Sequence, residues 1–368
     1  MLEDRPTIAV VGPTRPYRGG IVEHTALLAE WLAAEGRLVE LAGWAAQFPR
    51  CLYRGGTAAL DDPTTQPVPT RELHWARPWS WRRVGSRLAR KAQNLIIVVS
   101  TPLQVSAVRA IAAAFRARRR GEDSRVIFIV HNVIPHERML FDRQLTRLIL
   151  RVADVVIVHS PAEAELAEHL GAGDVRVVPL PFHPPAGLES APHPAGSQRL
   201  GRLAFLGFVR PYKGLDLVLN GLAQSDTDAQ LIVQGEFWEP IARYEALIEE
   251  LGLADRIELR PGYASTAEIV RTLAEVDALV LPYRSATASQ QARIAFARGV
   301  PVIATAVGTF PAQVRDEVDG LIVPTPDSSR LAAAIEEFYH EDRWLLLRSA
   351  VRPPDSEREW DEYLEALA

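Results

Sequence analysis

VIFIVHNVIPHERMLFDRQLTRLILRVADVVIVHS, residues 126–160, opens on a β-branched run, passes through a stretch with apolar residues three and four apart, and closes on a second β-branched run. Both runs are short and almost wholly apolar, the composition of strands covered on both faces. The stretch between them, 142–152, has the spacing of a helix with one apolar side. A strand, a helix and a strand in that order make a βαβ unit, and hence a parallel sheet covered by helices.

The same alternation extends outward from this unit. TIAVVG (7–12), LIIVVS (95–100) and VRVVPLP (175–181) read as further strands, with another helix over 21–35. Residues 183–199, HPPAGLESAPHPAGSQR, are rich in Pro, Gly, Ala and Ser, lack periodicity, and read as a linker. The pattern then restarts with RLAFLGF (202–208), AQLIVQG (229–235), RIELRPGY (256–263), ALVLPY (278–283), PVIATAVG (301–308) and GLIVP (320–324). The fold class is α/β, with two doubly wound domains over 1–182 and 200–348. The closing segment, 349–368, carries one last amphipathic helix with Asp355 and Ser356 as cap candidates, which is expected to pack back toward the first domain.

Composition narrows the function classes. The chain has 368 residues, 48% apolar and 24% charged, which is ordinary for a globular protein with two cores. A lone cysteine, Cys51, excludes an internal disulfide and a thiolate metal cluster, so a reducing, cytoplasmic setting is expected. MLEDRPTIAVVGP places acids before a short apolar run, the reverse of a secretory signal, and no apolar run is long enough to span a bilayer. Residues 1–185 hold 24 Arg and Lys against 18 Asp and Glu, and residues 186–368 hold 17 against 28. Either the first half faces something anionic, or its surface reflects an arginine-biased composition.

Ligands of open parallel sheets sit beyond the carboxyl ends of the strands, which singles out Gly19, Gly20, His131, Lys213, Tyr263 and Ser289. In FLGFVRPYKGLDLVLNGL (205–222), Lys213 is one of two lysines, with Lys91, among 41 basic residues. A compact ammonium with three donors, next to Arg210 and a helix start at Gly214, suits two phosphate groups at once. The plainer account is a solvated lysine. VVGPTRPYRGGIVEHTALLAEWL (10–32) sets two adjacent glycines before a long helix, either a tight turn or a place where a phosphate approaches the backbone. It has the spacing of neither a dinucleotide fingerprint nor a P-loop.

In LVLPYRSATASQQARIAFARGV (279–300), Ser289 is a plausible N-cap of a helix running to about Arg298, whose first N–H groups would face an anion. VHNVIPHE (130–137) puts His131 at a strand end with His136 and Glu137 nearby, and a histidine there is placed to exchange protons near neutral pH. No ligand set with metal spacing accompanies it. WARPWSWRRVGSRLARK (75–91) clusters Trp75, Trp79 and Trp81, and the helix after them would align Trp81, Val84 and Leu88 against Arg83, Arg87 and Arg90. That pattern fits an interfacial helix on anionic lipid or a helix packing its apolar stripe inward.

Taken together, PYRGGI, HNVIPHE…DRQLTRLILRVADVVIVHS, FLGFVRPYKGLDLVL, LIVQGEFWE, LGLADRIELRPGY, LPYRSAT and ARGVPVIATAVGTFPAQV…DGLIVP resemble glycosyltransferase family 4 over nearly the whole chain, in order and spacing. The resemblance implies a GT-B fold and a retaining transferase. Its nucleotide-sugar donor, UDP- or GDP-linked, would be held mainly by the second domain, its acceptor mainly by the first, and chemistry would occur in the cleft between. It implies Lys213 and Arg210 on the donor diphosphate with Ser289 and Gln290 at the helix start, Gly262 and Tyr263 on the nucleobase, and Gly19 and Gly20 closing over the diphosphate. His131 would contact the sugar, and Arg18, Glu137 and Thr287 are carried as donor-sugar or acceptor candidates. The acceptor would be a glycan, a lipid-linked molecule or a small molecule. No metal, other cofactor or nucleic acid is implied.

Three departures from the family pattern stand out. Two glutamates common in relatives are replaced by Ala286 and Ile294; a sub-group that shares the YRSAT opening also lacks them and has Gln-Ser-Gly-Val where this chain has ASQQ (288–291); and Arg210 stands two places beyond the usual arginine, whose place Phe208 takes. The missing acids keep two alternatives open. One is a non-catalytic scaffold subunit; the other is a nucleotide-sugar hydrolase or epimerase using Glu137 and Glu236.

Overall fold

The computed structural model describes residues 5–14, 17, 19–47, 69–119, 123–135, 141–185, 187–188, 198–324 and 326–367; Arg18, Cys51, His136 and Glu137 fall outside them. The chain divides into two units, one formed by Met1–His183 with Glu357–Ala368 and the other by Pro184–Ser356.

The first unit runs β1 (Ile8–Val11), α1 (Gly20–Ala34), β2 (Leu38–Ala46), β3 (Thr70–His74), α2 (Pro78–Leu88), β4 (Asn94–Val99), α3 (Val105–Arg118), β5 (Val126–Val130), α4 (Asp142–Leu150), β6 (Val155–Val158), α5 (Pro161–His169) and β7 (Asp174–Val177). The second runs β8 (Arg202–Leu206), α6 (Leu215–Gln224), β9 (Gln230–Gly235), α7 (Ile241–Glu250), β10 (Ile257–Pro261), α8 (Thr266–Ala274), β11 (Ala278–Leu281), α9 (Gln291–Ala297), β12 (Val302–Thr305), α10 (Phe310–Gln313), β13 (Gly320–Val323), α11 (Ser328–Tyr339) and α12 (Arg343–Ala350). A final helix, α13 (Ser356–Ala366), follows.

All pairings among the described residues are parallel, in the orders β3-β2-β1-β4-β5-β6-β7 and β10-β9-β8-β11-β12-β13. Each order reverses once, between β1 and β4 and between β8 and β11, and such reversals open the crevice where ligands sit. The chain thus has two doubly wound parallel sheets.

Two strands of the first sheet are absent from the sequence reading. Glu40 and Gly43 interrupt the apolar run of β2, and Glu40 is buried in the fold because Arg87 and Lys91 pair with it at 2.6 and 3.0 Å. Strand β3 lies at the sheet edge and buries only Leu73, so its sequence, TRELH, is polar.

The first sheet is buried on both faces in strict alternation. Ala9, Val11, Leu95, Ile97, Phe128 and Val130 join α2 and α3 on one side, whereas Ile8, Val10, Ile96, Val98, Ile127 and Ile129 join α1 and α13 on the other. Helix α13 therefore completes the first unit. Its Trp360 is fully buried and donates through Nε1 to the Phe182 carbonyl at 2.9 Å, while Glu359 accepts from the Phe182 N–H at 2.9 Å. Truncating a buried tryptophan of this kind costs about 3–5 kcal/mol.

Beneath α13 lie four buried histidines. His24 Nδ1 and His183 Nε2 stand 3.0 Å apart, and the other nitrogen of His24 is 3.2 Å from the Tyr363 hydroxyl. The rings of His131 and His159 lie 4.7 Å apart, and His131 is also 4.7 Å from His24. Among the described residues no group of these side chains is arranged to hold a metal ion.

Burial, reinforced by repulsion from the other imidazoles, holds His24 and His131 well below the ordinary histidine range, and burial brings His159 down to about 4. Burial thus disfavours the charged form of His131, which weighs against the proton exchange expected of it near neutral pH. The unfolded chain binds protons near pH 6.5 that the folded cluster refuses, so stability is complete above that pH and falls as pH drops toward about 4. Thermal melts across this window should show the first unit losing stability with each step down, and His159→Gln should make the slope shallower.

Candidate functional site

The second crevice is built from the end of β8 outward. Gly207 follows the strand with φ 100°, and a Cβ there would stand 3.3 Å from Lys213 Nζ and 3.4 Å from Gln291 Nε2. The bare glycine thus lets an ammonium and an amide lie against the main chain. The neighbouring strand is just as close, since a Cβ on Gly235 would fall 1.7 Å from the Gly207 carbonyl oxygen.

Pro211–Lys213 then form a single 3-10 turn, which ends on Gly214 at φ 70° before α6 begins. Only glycine fits, because a side chain there would meet the Pro282 carbonyl oxygen at 2.1 Å. Arg284 clamps the turn: its guanidinium donates to both carboxylate oxygens of Asp216 at 2.8 and 2.7 Å and to the Pro211 carbonyl at 3.0 Å. Its backbone N–H also donates to the Tyr212 carbonyl at 2.7 Å. Burial pushes Asp216 upward, but the Arg284 hydrogen bonds and charge outweigh it and hold the carboxyl below its usual range.

This scaffold presents Lys213 in an unusual state. The side chain is only 8% exposed, its ammonium lies 5.1 Å from the centre of the Tyr283 ring, and among the described residues no carboxylate pairs with it. Burial lowers its pKa; Tyr212 opposes this in part, and the Arg210 charge adds to the lowering. Arg210 itself stacks on Trp238, 3.7 Å from the ring centre. Two cations therefore converge on a crevice whose own groups do not neutralise Lys213, an arrangement that a bound anion would relieve.

The other candidates are distributed around this point and in the first unit. Helix α9 starts at Gln291 with Gln290 as its N-cap, so Ser289 is not the cap; its hydroxyl nevertheless accepts from the Gln291 N–H at 3.3 Å. Residues 285–290 lie outside helix and strand, and the Ala286 carbonyl oxygen would lie 2.6 Å from a Cβ on Gly308. Thr287 belongs to the same loop, and Ile294 is buried within α9.

Gly262, with φ 125°, follows β10 and donates its N–H to the Gly235 carbonyl at 2.9 Å. The exposed Tyr263 comes next, and both line a polar cavity of about 360 Å³ with Gln234, Arg260, Glu268 and Arg271. In the first unit, Gly19 caps α1 at φ 127°, whereas Gly20 has ordinary backbone angles and open space where a Cβ would stand. Glycine at 20 is thus not required by packing. His131 Nε2 is buried without a hydrogen-bond partner among the described residues.

Sequence reasoning missed Gln291, Tyr283 and Trp238. Gln291 was hidden by the shifted helix start, and the two aromatic residues by looking ordinary in a core.

Helix α2 begins at Pro78 and so contains Trp79 and Trp81 rather than following them. It buries Val84 and Leu88, with Trp81 half-buried against the same core, while Arg87 is engaged by Glu40 and Glu72. Trp75 and Trp79 remain 44% and 67% exposed. No helix among the described residues is long and apolar enough to cross a membrane.

Residues 19–183 match the Glycosyl transferase 4-like domain and residues 201–341 match Glycosyl transferases group 1. A D-inositol 3-phosphate glycosyltransferase of Mycobacterium marinum is 30% identical over 171 residues, 45% of this chain and 36% of that protein. Its counterpart in Mycobacterium sp. (strain JLS) is 29% identical over 213 residues, 54% of this chain and 48% of that protein. The chain thus spans half the length or less of these curated relatives. Among solved structures, Anabaena Alr3699/HepE in complex with UDP superposes with a TM-score of 0.74 at 16% identity, covering 98% of this chain and 99% of that one. Sucrose-phosphate synthase of Thermosynechococcus elongatus gives 0.70 at 21%, covering 99% and 98%. At these identities the likeness shows a shared fold, that of GT-B glycosyltransferases.

Replacing a buried, unpaired cation by an apolar side chain of similar length removes its desolvation cost. Lys213→Met should therefore stabilise the ligand-free second unit by about 1–4 kcal/mol. The same change should weaken pyrophosphate binding by about 1.5–3 kcal/mol, and denaturant melts with calorimetric titration read both.

Proposed function

We propose that this chain, whose two domains belong to the Glycosyl transferase 4-like domain and Glycosyl transferases group 1, is a retaining glycosyltransferase that moves a sugar from a nucleoside-diphosphate donor to a glycan, lipid-linked or small-molecule acceptor without a metal ion. The observation that carries the reading is the buried Lys213 ammonium with no carboxylate partner among the described residues. Breaking a glycosyl–phosphate bond leaves a nucleoside diphosphate with growing negative charge, and a fixed cation in a water-poor crevice stabilises that charge without reorganising.

In this reading Lys213 and Arg210 hold the diphosphate, with Ser289, Gln290 and Gln291 supplying neutral donors at the start of α9. Gly262 and Tyr263 hold the nucleobase beside the polar cavity. Gly19 and Gly20 offer backbone N–H groups to the diphosphate, and His131 contacts the donor sugar as a neutral hydrogen-bonding ring. Arg18, Glu137 and Thr287 take donor-sugar or acceptor roles. The acceptor attacks from the leaving-group side and its proton passes to a phosphate oxygen, so no protein nucleophile is required. The donor class is supported by two structures of the similar Alr3699/HepE, one in complex with UDP and one with UDP-glucose. A scaffold subunit is the second reading, favoured by Ala286 and Ile294 where relatives carry acids.

We further place the protein in the cytoplasm, touching the anionic inner face of the membrane through Trp75, Trp79 and the exposed Arg82 and Arg83.

A thermal-shift panel of UDP-, GDP-, ADP- and dTDP-sugars separates transferase from scaffold. A true donor at 100 times its Kd stabilises by about 2.7 kcal/mol, and Lys213→Met should abolish that gain; no shift with any of the four supports the scaffold. For the membrane contact, co-sedimentation with phosphatidylserine vesicles but not with phosphatidylcholine vesicles is expected, and Trp75→Ala with Trp79→Ala should remove it.

A further inference from the structure

The strand order of the first sheet reverses between β1 and β4, opening a second crevice, and this one is floored differently from the crevice of the second unit. Gln47 follows β2, Ser100 follows β4, and Gln104 ends the short 3-10 turn before α3; the two glutamines are 4% and 7% exposed. Gln47 Nε2 donates to Ser100 Oγ at 2.7 Å, and Ser100 donates on to Gln104 Oε1 at 3.0 Å. The Tyr17 hydroxyl joins them by accepting from the Gln47 backbone N–H at 2.8 Å.

This relay ends on Gln104 Nε2, which is buried and has no partner among the described residues. Turning the amide end for end leaves its oxygen over instead, so either orientation strands one polar atom. Buried polar atoms are rarely left unmet unless something outside the fold meets them. Thr146 Oγ1 repeats the observation: it is 4% exposed, has no partner among the described residues, and lines a cavity of about 40 Å³ whose polar wall is Ser100 of the relay, Thr101 and Asn132 and whose other lining residues are apolar. That space takes about two or three water-sized groups.

Charge decides what the missing partner is. No Asp, Glu, Lys or Arg among the described residues takes part in the relay. A phosphate or carboxylate entering so dry a place would need a fixed cation, as Lys213 provides in the other unit. Amides and hydroxyls match groups that both donate and accept, which is the chemistry of neutral hydroxyls.

We propose that the crevice outside β1 and β4 binds the uncharged, hydroxyl-bearing end of the acceptor, a neutral sugar or polyol, with the Gln47–Ser100–Gln104 relay as its fixed partner. The inference rests on the transferase reading and names its acceptor class. Saturation-transfer NMR on the full chain with UDP present tests it, using methyl α-glucoside, methyl α-galactoside and methyl α-mannoside against glucose 6-phosphate. At least one neutral glycoside should bind, and more tightly than the phosphorylated sugar. Gln104→Leu should weaken that glycoside about tenfold, and Ser100→Ala, which keeps the fold's shape, should weaken it in the same direction. UDP affinity should stay within about twofold of the parent in both variants, since the relay belongs to the first unit and Lys213 to the second. No binding of any neutral glycoside, preference for glucose 6-phosphate, or glycoside affinity unchanged in both variants would overturn the inference. Glycoside binding without UDP binding would keep it and overturn the donor reading beneath it.

Discussion

A lysine buried without a counter-ion among the described residues is the constraint around which the second unit is arranged. Desolvating an ammonium costs several kcal/mol unless something charged meets it, and here the charge of a second cation, Arg210, adds to that cost. The surrounding residues do not relieve that cost; they hold Lys213 where it is incurred. Gly207 and Gly235 bring two strands close, Gly214 turns the chain left-handed against Pro282, and Arg284 grips Asp216 and the turn together. A fold that spends stability in this way holds a site ready for an anion, so that the cost is met before the ligand arrives and not during its reaction.

The two units repeat one architecture with opposite chemistry at corresponding places. Each parallel sheet reverses its strand order once, and each reversal gathers polar groups at the carboxyl ends of the strands. In the second unit those groups are cations beside an amide. In the first they are neutral amides and hydroxyls, with a nearby set of histidines that burial keeps uncharged. A transferase needs both kinds of place, one for a pyrophosphate that gains charge and one for a hydroxyl group that must not be repelled by it.

How much of this the sequence disclosed depends on how local the signal was. The strands flanking 142–152 were legible because both faces of each are covered, leaving runs such as VIFIV and VVIV with little ambiguity. Strand β2 was not, because Glu40 lies mid-strand and is met by Thr70, Arg87 and Lys91, which come 30, 47 and 51 residues later. Lys213 was legible for a compositional reason: a chain that replaces almost every lysine by arginine kept this one. Gln291 was hidden because its amide reaches the same place through the bare Gly207, far away in the chain, and Tyr283, whose ring lies 5.1 Å from the ammonium, because it looks ordinary in a core. The cap of α9 was misplaced by one residue, since Gln290 and not Ser289 precedes the helix, although the Ser289 hydroxyl still accepts from the Gln291 N–H.

The scarcity of lysine also makes the central claim unusually open to measurement. With only Lys91 and Lys213 present, selective labelling of lysine side chains yields two resonances, one of them a built-in reference far along the chain. Titrating the free protein by NMR should find Lys213 losing its proton below the ordinary lysine range, and saturating nucleoside diphosphate should move that transition upward while Lys91 does not respond. A Lys213 that titrates like a solvent-exposed lysine and ignores the nucleotide would contradict the account.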